Sequence, residues 1–316
     1  MQSSVIKPLK LLNRALLAIF CLFVLGAFAG GAPIAVLYPD VREPYSSIFR
    51  DIVGGIKRES GAKVTTYSLK TEDSLEEVRE WLDKMHPKAV ILLGNRGKYL
   101  ADELGENYLT IAGAAILSGD YVQSGLSGIS LTPSPRRLFA KLKEIAPDVE
   151  RITVIYHDAT NGWLIELAKV AALDSGFKLE ALAAEDVREA AGVYREVLER
   201  QNNGKDAIWL LQGDPTLDER SLLPTILNEA WGSHSIVFSS NPSHVKRGAL
   251  FSLYPDNFNM GKSLAVKANK LIGGGKSGAE PLEDLLVAVN LRTAEHLNLK
   301  LNRSDEKDFD LVFPSR

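Results

Sequence analysis

The chain has 316 residues, 45% of them hydrophobic and 24% charged, which is enough to bury a sizeable core and to build two domains of ordinary size. A formal charge of -3 gives no overall basic field and excludes wholesale binding to nucleic acid or to an anionic membrane surface. The single cysteine, Cys21, lies in the amino-terminal apolar run, so a chain that loses that run has no disulfide, no catalytic thiol and no thiolate metal site.

The first residues differ from the rest. Lys7, Lys10 and Arg14 precede the apolar run 15–29, which ends in small residues at Ala27 and Ala29. The run is shorter than the roughly 20 apolar residues a membrane-spanning helix needs. It reads as a secretory signal peptide over 1–29, cleaved after Ala29, with no stable membrane insertion afterwards. Phe20, a bulky residue before Cys21, argues against lipid attachment.

Beyond it the chain alternates. A strand at 34–38 (IAVLY), a loop at 39–44, a helix from Tyr45 to Glu59 and a strand at 63–67 form a βαβ unit. An amphipathic helix is expected over 73–85, then a strand at 89–93 (AVILL), a short helix near 98–104 and a strand at 109–113. Residues 124–135 are rich in glycine, serine and proline and read as a domain boundary or hinge. A helix at 135–146 leads to a second copy: strand 152–156 (ITVIY), a polar loop 157–162, a helix from Trp163 to Leu173 and a strand 178–182. Helices at 187–201 and 218–231 flank a strand at 207–211 (AIWLL). A strand at 235–239, a loop 240–248, a strand 249–254, a helix 257–272, a strand at 286–290 and a short helix at 297–301 close the chain.

The two halves repeat the same order. AVILL followed by Gly94 and Asn95 corresponds to AIWLL followed by Gln212, Gly213 and Asp214. This predicts an α/β fold of two similar doubly wound parallel-sheet lobes joined by a hinge of several crossings. The first lobe is expected over 30–131 plus 256–282 and the second over 132–255 plus 283–316. Open α/β sheets bind ligands at the carboxyl ends of their strands, which singles out Tyr38, Tyr45, Gly94 and Asn95 in the first lobe. In the second it singles out Tyr156, Asp158, Thr160, Asn161, Asp214, Thr216, Ser240 and Asn241. Aromatic faces mixed with short polar side chains suit a small polar ligand, although the same residue types also make turns and helix caps. Tyr38, Tyr156, Asp158 and Asp214 are expected to supply most of the contacts, with flexing near 129–133 and 254–256. Arg96 and Lys98 admit two readings. Facing the cleft they would favour a carboxylate or phosphate, and as solvated helix-start residues, the expected case, they would mean nothing.

Other chemistry is missing. The five histidines show no metal-ligand spacing, no GxSxG is present, and residues 275–277 (GKS) lack the glycine a P-loop needs five positions earlier. No cofactor is expected and no acid–base pair or nucleophile can be named, so the chain does not read as an enzyme.

The paired units IAVLYPD and ITVIYHDATN, with WLLQGDPT, FSSNPSHVKRGAL and the ending LYPDNFNMGKSLAVKANKLIGG followed by LLVAVNLRTAEHLNL, resemble bacterial ABC transporter substrate-binding proteins of the group with tryptophan- and tyrosine-binding members. The resemblance covers nearly the whole chain beyond the signal peptide. It implies a type I periplasmic-binding-protein fold that closes on a small solute by hinge motion, with no cofactor. A small polar ligand, amino-acid-like or related, an ABC permease as partner and a monomer are expected, and the signal peptide adds a periplasmic location. The resemblance also adds Asp256, the acidic residue before the Gly261-containing helix, to the ligand-binding set. A sensor that presents bound ligand to a membrane receptor is the alternative role.

Overall fold

The computed structural model describes residues 31–201, 204–301 and 309–314. The expected signal peptide and its cleavage site lie outside them. Among the described residues the chain begins with β1 (Gly31–Pro39), α1 (Tyr45–Glu59), β2 (Ala62–Leu69), α2 (Leu75–Met85), β3 (Ala89–Leu93), α3 (Gly94–Leu104), β4 (Thr110–Ala115), α4 (Gly119–Gln123) and β5 (Ser127–Pro133). It continues with α5 (Pro135–Ile145), β6 (Arg151–Tyr156), α6 (Asp158–Ser175), β7 (Lys178–Ala183), α7 (Val187–Glu199), β8 (Asp206–Leu210), α8 (Leu222–Gly232), β9 (Ile236–Ser239), α9 (Pro242–Arg247) and β10 (Phe251–Pro255). Then come α10 (Asn257–Ile272), β11 (Ala279–Leu282), β12 (Leu285–Asn290), α11 (Leu291–His296) and β13 (Leu311–Phe313).

The strands form two sheets, ordered β2-β1-β3-β4-β5-β11 and β7-β6-β8-β9-β10-β12-β13. The central order is the same in both, as the repeat predicted. Every pairing is parallel except β10 with β12. A parallel sheet needs cover on both faces, which is why its strands read as unbroken apolar runs. In β1, Ile34 and Val36 enter one core layer while Ala35 and Leu37 enter the other. In β8, Ala207 and Trp209 point one way and Ile208 and Leu210 the other.

The second lobe carries the aromatic weight. Trp209, Phe238 and Phe251 lie side by side on β8, β9 and β10, each neighbouring pair within 7° of parallel, and the Phe139 ring of α5 meets Trp209 edge-on. In the first lobe small residues allow close approach instead. A Cβ on Gly55 of α1 would stand 1.9 Å from the Phe258 carbonyl oxygen of α10, and one on Gly261 would stand 2.1 Å from that of Ile52. The helix that leaves β10 of the second sheet thus packs back against the first.

The chain passes between the sheets after β5, after β10 and between β11 and β12. These crossings are tied together. The Ser134 amide donates to the Leu282 carbonyl at 2.8 Å and the Asp256 amide to that of Asp284 at 3.0 Å. Arg136 and Arg137 both pair with Glu283, at 2.8 and 3.2 Å.

Several local expectations are corrected. The segment 124–135, expected as a domain boundary or hinge, ends where the chain passes to the second sheet, but it also contains the buried strand β5, where Ser130 Oγ donates to Thr132 Oγ1 and accepts the Leu117 amide. Polar side chains that bond one another can enter a core, and composition alone does not reveal the pairing. The loops at 157–162 and 94–97 are first turns of α6 and α3, and most of 240–248 is α9. The helix expected at 218–231 starts at Leu222, and the one expected at 297–301 is α11, earlier in the chain. Strands β11 and β13 had no sequence signal.

Candidate functional site

The strand ends of the second lobe are organised by one carboxylate. Asp214 is 5% exposed. Its Oδ2 accepts the His157 amide at 3.0 Å and the Asn161 side-chain amide at 2.7 Å, and its Oδ1 accepts the Thr216 amide at 2.9 Å and the Thr216 hydroxyl at 2.6 Å. An ionised carboxylate has about four acceptor positions, and four donors occupy them. Asp214 therefore fastens the turn after β8 to the first turn of α6 and offers no free acceptor to solvent. Burial makes such an internal set of donors the way to satisfy the charge. Burial raises the pKa of the neighbouring Tyr194 phenol, and the Asp214 charge adds to the effect.

The other candidates divide between those bonded within their own turns and those that are exposed or half-buried. Thr160 Oγ1 lies 2.9 Å from His157 Nδ1, Ser240 Oγ accepts from Trp209 Nε1 at 3.0 Å, and Asn241 caps α9 by accepting the Ser243 amide at 2.9 Å. Asp256 caps α10, accepting the Asn259 amide at 3.0 Å and its side chain at 2.7 Å. Asp158 and Asn95 are exposed and Tyr45 is 65% exposed, while Tyr38 and Tyr156 are half-buried at the ends of β1 and β6. Burial raises the pKa of the Tyr156 phenol, with a smaller contribution from Asp158. Gly94 sits at φ +78°, a conformation glycine tolerates, where a Cβ would stand 2.9 Å from Pro39 Cγ.

Residues 116–119, between β4 and α4, were not singled out in the sequence. A Cβ on Gly119 would stand 2.3 Å from the Ala159 carbonyl oxygen of α6, and one on Gly213 would stand 2.9 Å from Ile116 Cδ1. At these points the two lobes touch. Ala114, just before, has φ +52°, an uncommon value for a residue with a side chain. The only hint in the sequence was the run of small residues at 112–115 and Gly119 itself. The two cations left open also separate here. Arg96 donates to the carbonyls of Lys70 and Asp73 in the turn after β2, and Lys98 Nζ lies 3.4 Å from the Ile116 carbonyl.

A cavity of ≈ 550 Å³ among Lys143, Asp148, Lys205 and Leu299 lies at the opposite end of the second sheet, by the amino ends of β6 and β8. That is the end where open α/β sheets do not place ligands. Among the described residues, no three His, Cys, Asp or Glu side chains gather to hold a metal ion, and no helix is long and apolar enough to cross a membrane.

A family model described as ABC transporter substrate binding protein matches residues 128–305. No curated protein matches the chain. Similar solved structures include a conserved domain protein from Vibrio cholerae, 18% identical over 89% of this chain and 99% of that one, with a TM-score of 0.52. An ABC domain from Streptococcus pneumonia in complex with L-Trp is also 18% identical, over 89% of this chain and 100% of that one, with a TM-score of 0.52. The ligand-free, open form of a substrate binding protein with adhesive properties from Clostridium difficile is 14% identical over 90% of this chain and 100% of that one, with a TM-score of 0.61. At these identities the likeness is one of fold.

Proposed function

The chain belongs to the family of ABC transporter substrate-binding proteins, and from that premise we propose that it captures a small polar, amino-acid-like ligand between its lobes in the periplasm and delivers it to an ABC importer. The observation that carries the reading is the meeting of strand-end turns from both lobes, Ile116 with Gly213 and Gly119 with Ala159, opposite a hinge of three tied crossings. Small rotations at such crossings open and close a cleft without breaking either core. Tyr38, Tyr45, Asn95, Tyr156 and Asp158 are the residues assigned to ligand. Gly94, Thr160, Asn161, Asp214, Thr216, Ser240, Asn241 and Asp256 shape the turns that hold them. The ligand is bound and released unchanged. The periplasmic location rests on the charged and apolar amino terminus, with a mature chain that begins near Gly30.

Native mass spectrometry of protein purified from the host periplasm tests the reading. A single small molecule retained in equimolar amount, with scattering that shows compaction when it is added back, is the expected result. Protein that carries nothing and does not compact with any solute of its growth medium would remove the solute-capture reading. Amino-terminal sequencing of the same material should return a start near Gly30.

A further inference from the structure

The two cations of α3 have different surroundings, and the difference bears on what the cleft accepts. Arg96 is committed to carbonyls of its own lobe. Lys98 is half-buried and has no carboxylate partner among the described residues. Its contacts are the Ile116 carbonyl, at a distance near the limit of a hydrogen bond, and the Tyr99 ring, 5.1 Å from the ammonium. An ammonium has three donors, so at least two are unused. Ile116 is the residue that meets Gly213 of the second lobe, and Gly119, three residues on, meets Ala159. The ammonium is thus held against the segment where the lobes meet.

On its own helix Asp102 follows one turn later, but no ion pair joins it to Lys98 among the described residues. The first turn of α3 carries no acidic residue and its amino end has no side-chain cap, so the partial positive charge of the helix end adds to that of the lysine. On the facing lobe Asp158, next to Ala159, is exposed in the first turn of α6. The segment where the lobes meet thus has a cation beside it on the first lobe and an exposed carboxylate in the adjoining turn of the second. When the cleft closes around a ligand, water leaves and an unpaired ammonium becomes costly, which the ligand's own charge can relieve.

We propose that Lys98 is the specificity-determining residue of the cleft, and that the ligand bears a carboxylate which pairs with its ammonium from the side of the first lobe. This rests on the solute-capture reading above. A carboxylate fits better than a phosphate dianion because Lys98 offers one positive charge, and Arg96, the only neighbouring cation on the helix's first turns, is already bonded elsewhere.

The test uses the full mature chain and a panel of L-amino acids and 2-oxo acids beside their primary amides, with inorganic phosphate as a further probe, read by melting temperature and titration calorimetry. At least one acid should raise the melting temperature while its amide does not. Lys98→Met, which keeps the length of the stem, should weaken that acid's affinity by about 10- to 100-fold with the unliganded melting temperature unchanged, and Lys98→Arg should recover most of it. An acid that binds Lys98→Met as tightly as the native protein, an amide that binds as well as its acid, or a preference for phosphate overturns the assignment and leaves solute capture standing. If neither the panel nor a co-purified molecule binds the native protein, both readings fall together.

Discussion

Arg96 and Asp214 stand at equivalent places in the two halves, each three residues past the last leucine of the matching runs AVILL (89–93) and AIWLL (207–211). One is a donor and the other an acceptor. Arg96 reaches carbonyls in the turn after β2, whereas Asp214 gathers two amides and two side-chain donors and binds the turn after β8 to the start of α6. The same duplicated backbone is therefore fastened by opposite charges. In the second lobe the polar groups of the strand ends are mostly consumed internally, and in the first lobe glycines do the shaping while Asn95 and Lys98 stay available. A duplicated fold can in this way divide its labour, one lobe serving as a rigid frame and the other offering free groups to a ligand.

The sharpest way to break the comparison is Asp214→Ala. It strands four buried or half-buried donors, one each on His157 and Asn161 and two on Thr216, and should lower stability by about 3 kcal/mol or more, read by denaturant unfolding. A loss of ligand affinity at unchanged stability would mean instead that Asp214 serves the ligand. Next in size is Gly119→Val. The added side chain cannot fit against Ala159, so the state with touching lobes should lose roughly 1–3 kcal/mol while each core stays intact. Energy transfer between dyes placed on one engineered cysteine per lobe would report a longer distance, and residues 30–316 have no native cysteine to interfere. An unchanged distance would rule out a contact at Gly119 in solution.

A third test compares two asparagines. Asn241→Ala removes a helix cap and should cost about 1 kcal/mol, while Asn95→Ala, at an exposed position, should stay within about 0.5 kcal/mol by thermal melting. Equal costs would remove the distinction between the lobes at these turns. The smallest effect is a pH dependence. Buried His244 contacts Ser239 Oγ at 2.8 Å and lies 3.2 Å from Glu219 Oε1. Burial holds its pKa below the ordinary value of 6.5, against the opposing pull of Glu219. The unfolded chain therefore takes up this proton first as pH falls. The contribution to stability is complete above pH 6.5 and declines below it until the folded state also protonates. The melting temperature of His244→Gln should fall less between pH 7 and pH 5 than that of the native protein, and parallel curves would exclude the histidine as the source.

The architecture was legible because both sheets are covered on two faces, so β1, β3, β6 and β8 announce themselves as apolar runs at repeated intervals. What stayed hidden depended on bonds between distant residues. Nothing in the sequence near Asp214 says that His157 and Asn161 will fill its acceptors. Ser130 and Thr132 look like linker residues until they are seen to satisfy each other inside β5. Ile116 and Gly119 carry no polar signature at all, and their importance comes from the backbone of the other lobe. Lys98 was visible as an unusual charge in a strand-end segment, but only the engagement of Arg96 elsewhere distinguishes the two cations.

The close seating of α10 on α1 sets the order in which the molecule can be assembled. Met260, Leu264, Ala265 and Ala268 fill the layer beneath β1 and β3, and β11 completes the edge of the same sheet. A nascent chain that has reached only the end of β5 lacks both elements, so the layer that α1 begins on this face of the first sheet is half built, and Ile52, Ile56 and Ile111 lack partners that bury them. The first half to be made is the last to be finished.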